Sequence, residues 1–459
     1  MLVNSVYNFK DIQKNQIGIG KQVSNPISSR VETSQNKQVS FNGLFSDLFI
    51  KKFSTPEENK MYNELSSVLS GKDQTNFDIL YKTGRLSNRN SNDNSSTLEN
   101  LYKIYSNPRI VGLDNKRVLS ETIERLANPF SINQKFGQIP DNVGVEVLKD
   151  KGNNTSVLNS HPYEPKSLND MNVKNSASCV AASIEFSLAD KKPAEFARMV
   201  EGLSGPKMSV DKKVKLSCLN KNIMDALYLL KMFNVTPEKS TWDDVVIKIA
   251  PDRDAIVRAR VQGSYADTSK ARSSVDVLLQ SAFMQLGSQS TYNSLTDRRY
   301  GSLNANDTGL TEFEKTFVES IVGNDGEKTS MVYQRVNDDA VLEGYFHPPE
   351  VVQQHLLTTL AQDKNVIVGI TETDENNKII GGHEITIIDY KMKDNQLYFV
   401  CNDTDDDYVG AIEINANALI PKIHHAGIPK NILDDVPEED RGKKLLQQYS
   451  SGNMDFSAV

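Results

Sequence analysis

The chain of 459 residues has only three cysteines and one tryptophan, and it lacks any apolar run near the roughly 20 residues that span a bilayer. Three cysteines are too few, and odd in number, for a disulfide framework, so each thiol is free to be a core residue or a nucleophile. The chain has no excess of basic charge, because it contains 52 Lys and Arg but 60 Asp and Glu, which gives a net charge of -8. That balance argues against a nucleic-acid partner. The first residues show no basic segment followed by an apolar one, so we expect no secretion signal and, by default, a cytoplasmic protein.

Composition divides the chain into segments. Residues 1–50 are rich in Asn, Ser, Gln and Lys, which predicts a disordered arm. A small helical region is expected over 51–134, where the first helix has Thr55 as its N-cap. Many Gly, Pro and Asn residues predict a linker over 135–170, and we expect a C-terminal tail over 431–459.

Hydrophobic periodicity changes part-way along the remaining chain. Apolar residues recur every three to four positions up to a predicted helix over 349–360. Beyond that helix, alternating or β-branched runs predict four strands, at 365–371, 378–390, 396–401 and 409–414. Helices first and antiparallel strands afterwards indicate an α+β fold rather than repeated βαβ units.

Cys179 stands at the junction between a turn of small residues and a helix with one apolar face. A thiol in the first turn of a helix lies at the positive end of the helix dipole, which favours the nucleophilic thiolate. A cysteine on such a helix can equally be a small core residue, so a nucleophile needs a partner. Cys218 and Cys401 lie among apolar residues, and we expect both in the core.

His383 is the candidate partner of that thiol. It follows Gly381 and Gly382 and opens an apolar strand, so its imidazole is expected at a strand end that a substrate can approach. The next strand ends in Asn402 and Asp403, either of which can hydrogen-bond the ring and select its tautomer.

Two other patterns bear on metal binding. His424 and His425 fall in a predicted helix-to-loop stretch without a spaced ligand set. Asp403, Asp405 and Asp407 alternate as at the start of a calcium loop, but the later positions of such a loop hold the wrong residues. We therefore expect a solvated turn between strands, and neither a metal nor another cofactor.

Taken together, these motifs resemble the papain-like cysteine peptidase superfamily, with its chain order Cys, His, Asn. The resemblance rests on SCVAAS (178–183), GGHEITIIDY (381–390) and VCND (400–403), and it covers about half of the chain. It implies a papain-like fold over 171–430, with a helical lobe, an antiparallel β lobe and a helical insertion around 205–345.

The resemblance implies hydrolysis of peptide bonds in a protein or peptide substrate. Cys179 would form a thioester acyl-enzyme, His383 would act as acid and base, and Asn402 would orient the imidazole. The thiol would attack from the helical lobe, across a cleft from the β lobe.

One departure from the family's pattern concerns the oxyanion. The family places a Gln six residues before the nucleophile, where this chain has Val173, so Asn175, Asn172 or the backbone N–H of Cys179 would donate instead. Two alternatives to the peptidase stay open: an inactive papain-like module that binds a peptide or partner, and a transglutaminase-like acyl transferase with Asp403 as its third residue.

Overall fold

The computed structural model describes residues 53, 55–135, 176–215, 245–263, 271–288, 290–299, 309–323, 328–406 and 408–432. Its α-helices are α1 (Pro56–Val68), α2 (Gly71–Lys82), α3 (Thr97–Ser106), α4 (Asn115–Ala127), α5 (Cys179–Lys191), α6 (Pro193–Ser204), α7 (Asp254–Gly263), α8 (Ser274–Gly287), α9 (Glu312–Gly323), α10 (Pro349–Leu360) and α11 (Ala416–Leu419). Its strands are β1 (Val210–Val214), β2 (Val245–Ile249), β3 (Tyr292–Asn293), β4 (Arg298–Arg299), β5 (Lys328–Val332), β6 (Gln334–Val336), β7 (Leu342–Tyr345), β8 (Val366–Thr373), β9 (Ile379–Lys393), β10 (Gln396–Asn402), β11 (Ile412–Asn415) and β12 (Ile423–Pro429). The predicted arm over 1–50, and nearly all of the predicted linker over 135–170 and tail over 431–459, lie outside the described residues.

Two of the N-terminal helices, α1 and α3, begin at capping boxes. The Thr55 hydroxyl accepts the N–H of Glu58 at 3.1 Å, and the Glu58 carboxylate accepts the N–H of Thr55, which is the predicted capping box. Ser96 and Glu99 repeat the same arrangement at the start of α3. Each cap contributes about 1 kcal/mol to helix stability. Local sequence is therefore sufficient to set these helix starts.

One hydrophobic core joins the N-terminal helices to the helices of the predicted catalytic unit. Leu65 and Leu101 belong to the same buried cluster as Val180 and Phe196, and α3 packs directly on α6. α3 and α4 are amphipathic, and they pack on α5, α6 and α8, while α1 packs on α3 and α2 packs on α4. The boundary predicted at residue 134 therefore does not separate two cores.

The second part of the fold is a six-stranded antiparallel sheet in the order β11-β10-β9-β8-β12-β5. Strands β8 to β11 correspond to the four strands that the sequence predicts. The helix-to-loop prediction for His424 and His425 is wrong, because both lie in β12, between β8 and β5. Every residue of β12 is buried, so the strand has no alternation of apolar and polar residues by which to recognise it.

The prediction that the insertion around 205–345 is helical is wrong in part. β1 and β2 pair as antiparallel strands there, each with alternating buried and exposed residues. One inward position of β1 is Lys212, whose ammonium donates to the Glu195 carboxylate at 2.8 Å in the interior. This buried lysine hides the period of two, because the inward face does not read as apolar.

The helical part and the sheet meet where α5 packs across β9. A second core lies on the sheet, formed with α10 and α11 by residues such as Leu356, Ile385 and Leu419. Among the helices of the described chain, each is too short or too polar to cross a bilayer. The α5–β9 contact brings the predicted nucleophile and the predicted base into the same region.

Candidate active site

Cys179 is the first residue of α5 and is partly exposed. The helix beyond it is buried on nearly every side, from Val180 to Phe186 and again at Leu188 and Ala189. Packing on all sides fixes the position of the helix, and with it the position of the thiol. The sulfur therefore lies at the positive N-terminal end of a rigid helix.

His383 lies near the start of β9, in register with Ile370 of β8. Its Nε2 is hydrogen-bonded to Asp403 Oδ1 at 2.7 Å, and the ring lies close enough to the Cys179 side chain for the two to interact. With Nε2 engaged by the carboxylate, Nδ1 is the ring nitrogen left for the thiol. The side chains of His383 and Asp403 are 26% and 23% exposed, so the pair is open to solvent on one side.

The charges of the three groups reinforce one another. Burial by itself lowers the pKa of His383, but the hydrogen bonds and negative charges of Asp403 and Cys179 raise it well above its ordinary value. Burial raises the pKa of Asp403, but the hydrogen bond and charge of His383 outweigh burial and lower it. A charged imidazolium beside an ionised Asp403 is therefore the favoured state of this pair near neutral pH.

The side chain that hydrogen-bonds His383 is the carboxylate of Asp403, the predicted alternative, and not the amide of Asn402. Asn402 lies in register with Thr386, three residues from His383, so its side chain is on the opposite face of the sheet. The Asn402 amide nitrogen is buried and has no hydrogen-bond partner among the described residues. The prediction that Asn402 orients the imidazole is therefore wrong for this geometry.

A β-bulge in the pairing of β10 with β9 explains why Asp403, and not Asn402, lies beside His383. The register of β10 against β9 shifts between Val400 and Cys401, which moves every later residue of β10 by one position. Without the shift, Asn402 would lie opposite Ile387 and share a face with His383. A one-residue slip exchanges the two faces of a strand, so Asp403 takes the position beside the ring.

The predicted oxyanion donor Asn175 lies outside the described residues, as does Val173. The backbone alternative is supported by the local geometry. Within the described chain, the Ser178 side chain at the N-cap of α5 makes no capping hydrogen bond to the first turn. The N–H groups at the start of α5 have no intrahelical acceptor, so they remain available to a negatively charged oxygen beside the thiol.

A buried arginine that the sequence did not single out holds the turn before Cys179. Arg272 Nη2 donates to Ser176 Oγ at 2.5 Å and to Ser178 Oγ, and it lies 3.2 Å from both carboxylate oxygens of Asp297. Asp297 also accepts the N–H of Ala177 at 3.2 Å. Arg272 is 94 residues from Ser178 along the chain, so no local pattern connects them. This network fixes the approach of the chain to the nucleophile.

The structure also bears on the other two cysteines and on the acidic turn considered for calcium. Cys401 is a buried strand residue, and burial raises the pKa of its thiol, as expected of a core cysteine. Cys218 and Asp407 lie outside the described residues. Asp403 points to His383 and accepts the N–H of Asp405, and no group of three or more His, Cys, Asp or Glu in the described chain is arranged to hold a metal.

Comparison with protein-family models, with curated proteins and with solved structures gives no match to this chain. The arrangement of Cys179, His383 and Asp403 therefore carries the functional argument.

Proposed function

We propose that this protein is a cysteine peptidase of papain-like architecture that hydrolyses peptide bonds through a Cys179 acyl-enzyme. The observation that carries the proposal is the His383–Asp403 hydrogen bond placed beside Cys179 at the N-terminus of α5. A nucleophile, a base in contact with it and a third group that orients the base are the parts that covalent hydrolysis needs.

In the first half of the reaction, the Cys179 thiolate attacks the carbonyl carbon of the scissile amide. The carbonyl oxygen becomes an oxyanion, and the N–H groups at the start of α5 stabilise it. His383 then gives its proton to the leaving nitrogen, the C–N bond breaks, and a thioester remains on the sulfur.

In the second half, neutral His383 takes a proton from a water molecule that attacks the thioester. The C–S bond breaks, the acid product leaves, and Cys179 returns as thiolate beside the imidazolium. Asp403 keeps the ring oriented in both halves and stabilises its positive charge.

Space beside His383 is consistent with access by an extended substrate. A Cβ atom added to Gly381 or Gly382 would meet nothing in the described chain closer than 3.8 Å. Gly381 lies two residues before His383 in β9 and so shares its sheet face, where the missing side chain leaves the approach to the imidazole open.

The test is an unbiased search for cleavage. The purified full chain is incubated with denatured proteins, and new N-termini are identified by mass spectrometry, with Cys179→Ala and Cys401→Ala in parallel. We expect new termini with the wild type and Cys401→Ala but not with Cys179→Ala. Termini that form equally with Cys179→Ala contradict the proposal. No cleavage by a chain whose Cys179 reacts readily with iodoacetamide favours the non-catalytic binding module.

Acyl transfer to an amine is the second candidate, and one observation favours it. The third group is the carboxylate of Asp403, the residue that the transglutaminase-like alternative requires. A thioester would form from a glutamine side chain as its C–N bond breaks and ammonia leaves with the proton from His383, and an amine would replace water in the second half. Incorporation of methylamine into glutamine-containing peptides, dependent on Cys179, separates this reaction from hydrolysis.

A further inference from the structure

A short segment just before residue 136 touches both sides of the candidate active site. The Gln134 N–H donates to the Thr404 carbonyl at 3.1 Å, and the Thr404 hydroxyl donates to Gln134 Oε1 at 2.9 Å. Gln134 and Thr404 are both 2% exposed. The turn that begins at Asp403 is therefore held from one side by Gln134.

The same residue is bonded to the network under the nucleophile. Arg272 Nε donates to the Gln134 carbonyl at 2.6 Å, and the Arg272 N–H donates to the Lys135 carbonyl at 2.6 Å. Arg272 in turn holds Ser178, which precedes Cys179. The contacts therefore form one continuous series. It leads from the turn before Cys179 through Arg272 and Gln134 to the turn of Asp403, and from there to His383 beside the thiol.

We propose that Gln134 is a positioning residue of the Cys179–His383–Asp403 triad, holding the turn of Asp403 in register with the N-terminus of α5. This inference deepens the proposed function and rests on the same site. Gln134 acts through its contacts with Thr404 and Arg272, and it does not touch the reacting atoms. The 270 residues between Gln134 and Thr404 make the contact a product of the complete fold.

Charges around the turn explain why its position matters. The charged groups near His383 are Asp403 and Cys179. Those near Asp403 are His383 and Lys135, and Asp405 lies close to the same groups. A carboxylate that moves away from the imidazole stabilises the imidazolium less and no longer holds the ring toward Cys179. Loosening the turn should therefore change the titration of the triad as well as the stability of the fold.

The chain offers a matched control pair of the same chemistry. The Thr371 hydroxyl donates to Gln334 Oε1 at 2.8 Å, with Gln334 1% and Thr371 9% exposed. Gln334 also donates to the Pro421 carbonyl at 2.9 Å. Gln334→Ala and Thr371→Val thus remove a buried Thr–Gln hydrogen bond that involves neither Asp403 nor the turn before Cys179.

The experiment measures the rate at which iodoacetamide alkylates Cys179 between pH 5 and pH 9, together with thermal unfolding, in full-length variants. For Gln134→Ala and Thr404→Val we expect alkylation at pH 6 about tenfold slower than in the wild type, since one pKa unit is a tenfold change in ionisation. Thr404→Ser keeps the donor hydroxyl and should restore the wild-type profile. Gln334→Ala and Thr371→Val should lower the melting temperature to a similar extent and leave the profile unchanged.

The proposal is overturned if Gln134→Ala and Thr404→Val lower the melting temperature as the control pair does without altering the pH profile. It is also overturned if Thr404→Ser is as slow as Thr404→Val, and this comparison decides the matter where Gln134→Ala does not fold. Alkylation needs no substrate, so a wild-type chain that cleaves nothing sinks the peptidase proposal and leaves this test intact.

Discussion

Two neighbouring residues of β9, His383 and Glu384, each form a histidine–carboxylate pair, and the two pairs behave differently. His383 Nε2 lies 2.7 Å from Asp403 Oδ1, and His425 Nε2 lies 2.8 Å from Glu384 Oε1. Successive strand residues face opposite sides of a sheet, so one pair reaches partly exposed surface and the other the interior. The side chains are 26% and 23% exposed in the first pair, but 10% and 7% in the second.

The third group of each cluster decides its chemistry. His383 contacts the thiol of Cys179, whereas Glu384 lies 3.2 Å from the buried ammonium of Lys315. Burial raises the pKa of Glu384, but Lys315 and His425 outweigh burial and lower it to about 2. That carboxylate stays ionised, and its charged partners are Lys315 and His425, neither of which is a thiol or hydroxyl nucleophile. A histidine–carboxylate pair therefore indicates catalysis only when a nucleophile completes it.

Close packing sets the interior pair in place. Gly369 of β8 lies opposite Glu384, and a Cβ at this glycine would come within 2.7 Å of Glu384 Oε1 and 2.1 Å of His425 Cε1. A side chain at this position would displace one member of the pair. The interior cluster is thus built as a packed structural element.

Replacing each histidine by alanine gives the largest expected contrast. For the proposed peptidase, His383→Ala should lower kcat/KM by about a thousandfold or more, because the thiol loses its base and the leaving nitrogen its acid. His425→Ala should leave kcat within about threefold and instead lower the free energy of unfolding by about 1–3 kcal/mol, from a cavity beside Glu384. Activity assays and urea denaturation of both variants check this. A large fall in kcat for correctly folded His425→Ala would contradict the division of roles.

Asp403→Asn tests the carboxylate of the exposed pair. We expect a loss of about a hundredfold to ten-thousandfold in kcat, since an amide neither stabilises the imidazolium nor selects the same tautomer. The pKa of His383 is raised in the folded protein, so its charged form stabilises the fold below its unfolded pKa and that contribution is lost as pH rises through the folded pKa.

The pKa of Asp403 is lowered, so its contribution is present above its unfolded pKa and lost in acid. Asp403→Asn should therefore cost most stability near pH 5, where both groups are charged, and least at alkaline pH. Denaturant unfolding at pH 5 and pH 9 measures the difference. An equal cost at the two pH values would show that no ion pair forms in solution.

Lys315→Met tests the interior cluster. The Lys315 ammonium is fully buried, contacts Glu384 and donates to the Ile367 carbonyl at 2.7 Å. Its removal leaves a buried carboxylate without its main counter-charge, which costs about 3–5 kcal/mol of unfolding free energy. The double variant Lys315→Met/Glu384→Gln should recover much of that loss, because the charge left behind is also removed. A double variant no more stable than Lys315→Met would contradict this account.

Local signals in the sequence predict much of the fold. The helix predicted over 349–360 is present as Pro349–Leu360, and the capping pair Thr55 and Glu58 starts α1. Caps and periodicity act within a few residues, so the sequence displays them directly. The junction of turn and helix at Cys179, and the glycines before His383, are signals of the same local kind.

Features that depend on strand register or on distant contacts were not readable. The bulge between Val400 and Cys401 depends on pairing with β9, and the identity of those two residues does not predict it. Gln134 lies in a region of ordinary polar composition, and its partner Thr404 is 270 residues away. Such contacts exist only once the fold has brought the segments together, so the sequence favours Asn402 as the third residue, with Asp403 only as the alternative.

Asn402→Ala is expected to have the smallest effect and separates these two candidates. Asn402 shares a sheet face with Thr386, away from His383, and its amide nitrogen has no partner in the described chain. Its loss removes no hydrogen bond to the imidazole, so kcat should stay within about threefold, with a stability change of about 1 kcal/mol. The pH dependence of kcat/KM in Asn402→Ala, measured beside Asp403→Asn, is the decisive comparison. A hundredfold fall for Asn402→Ala with a shifted pH profile would restore Asn402 as the orienting residue, and would mean that β10 pairs with β9 in solution without the bulge.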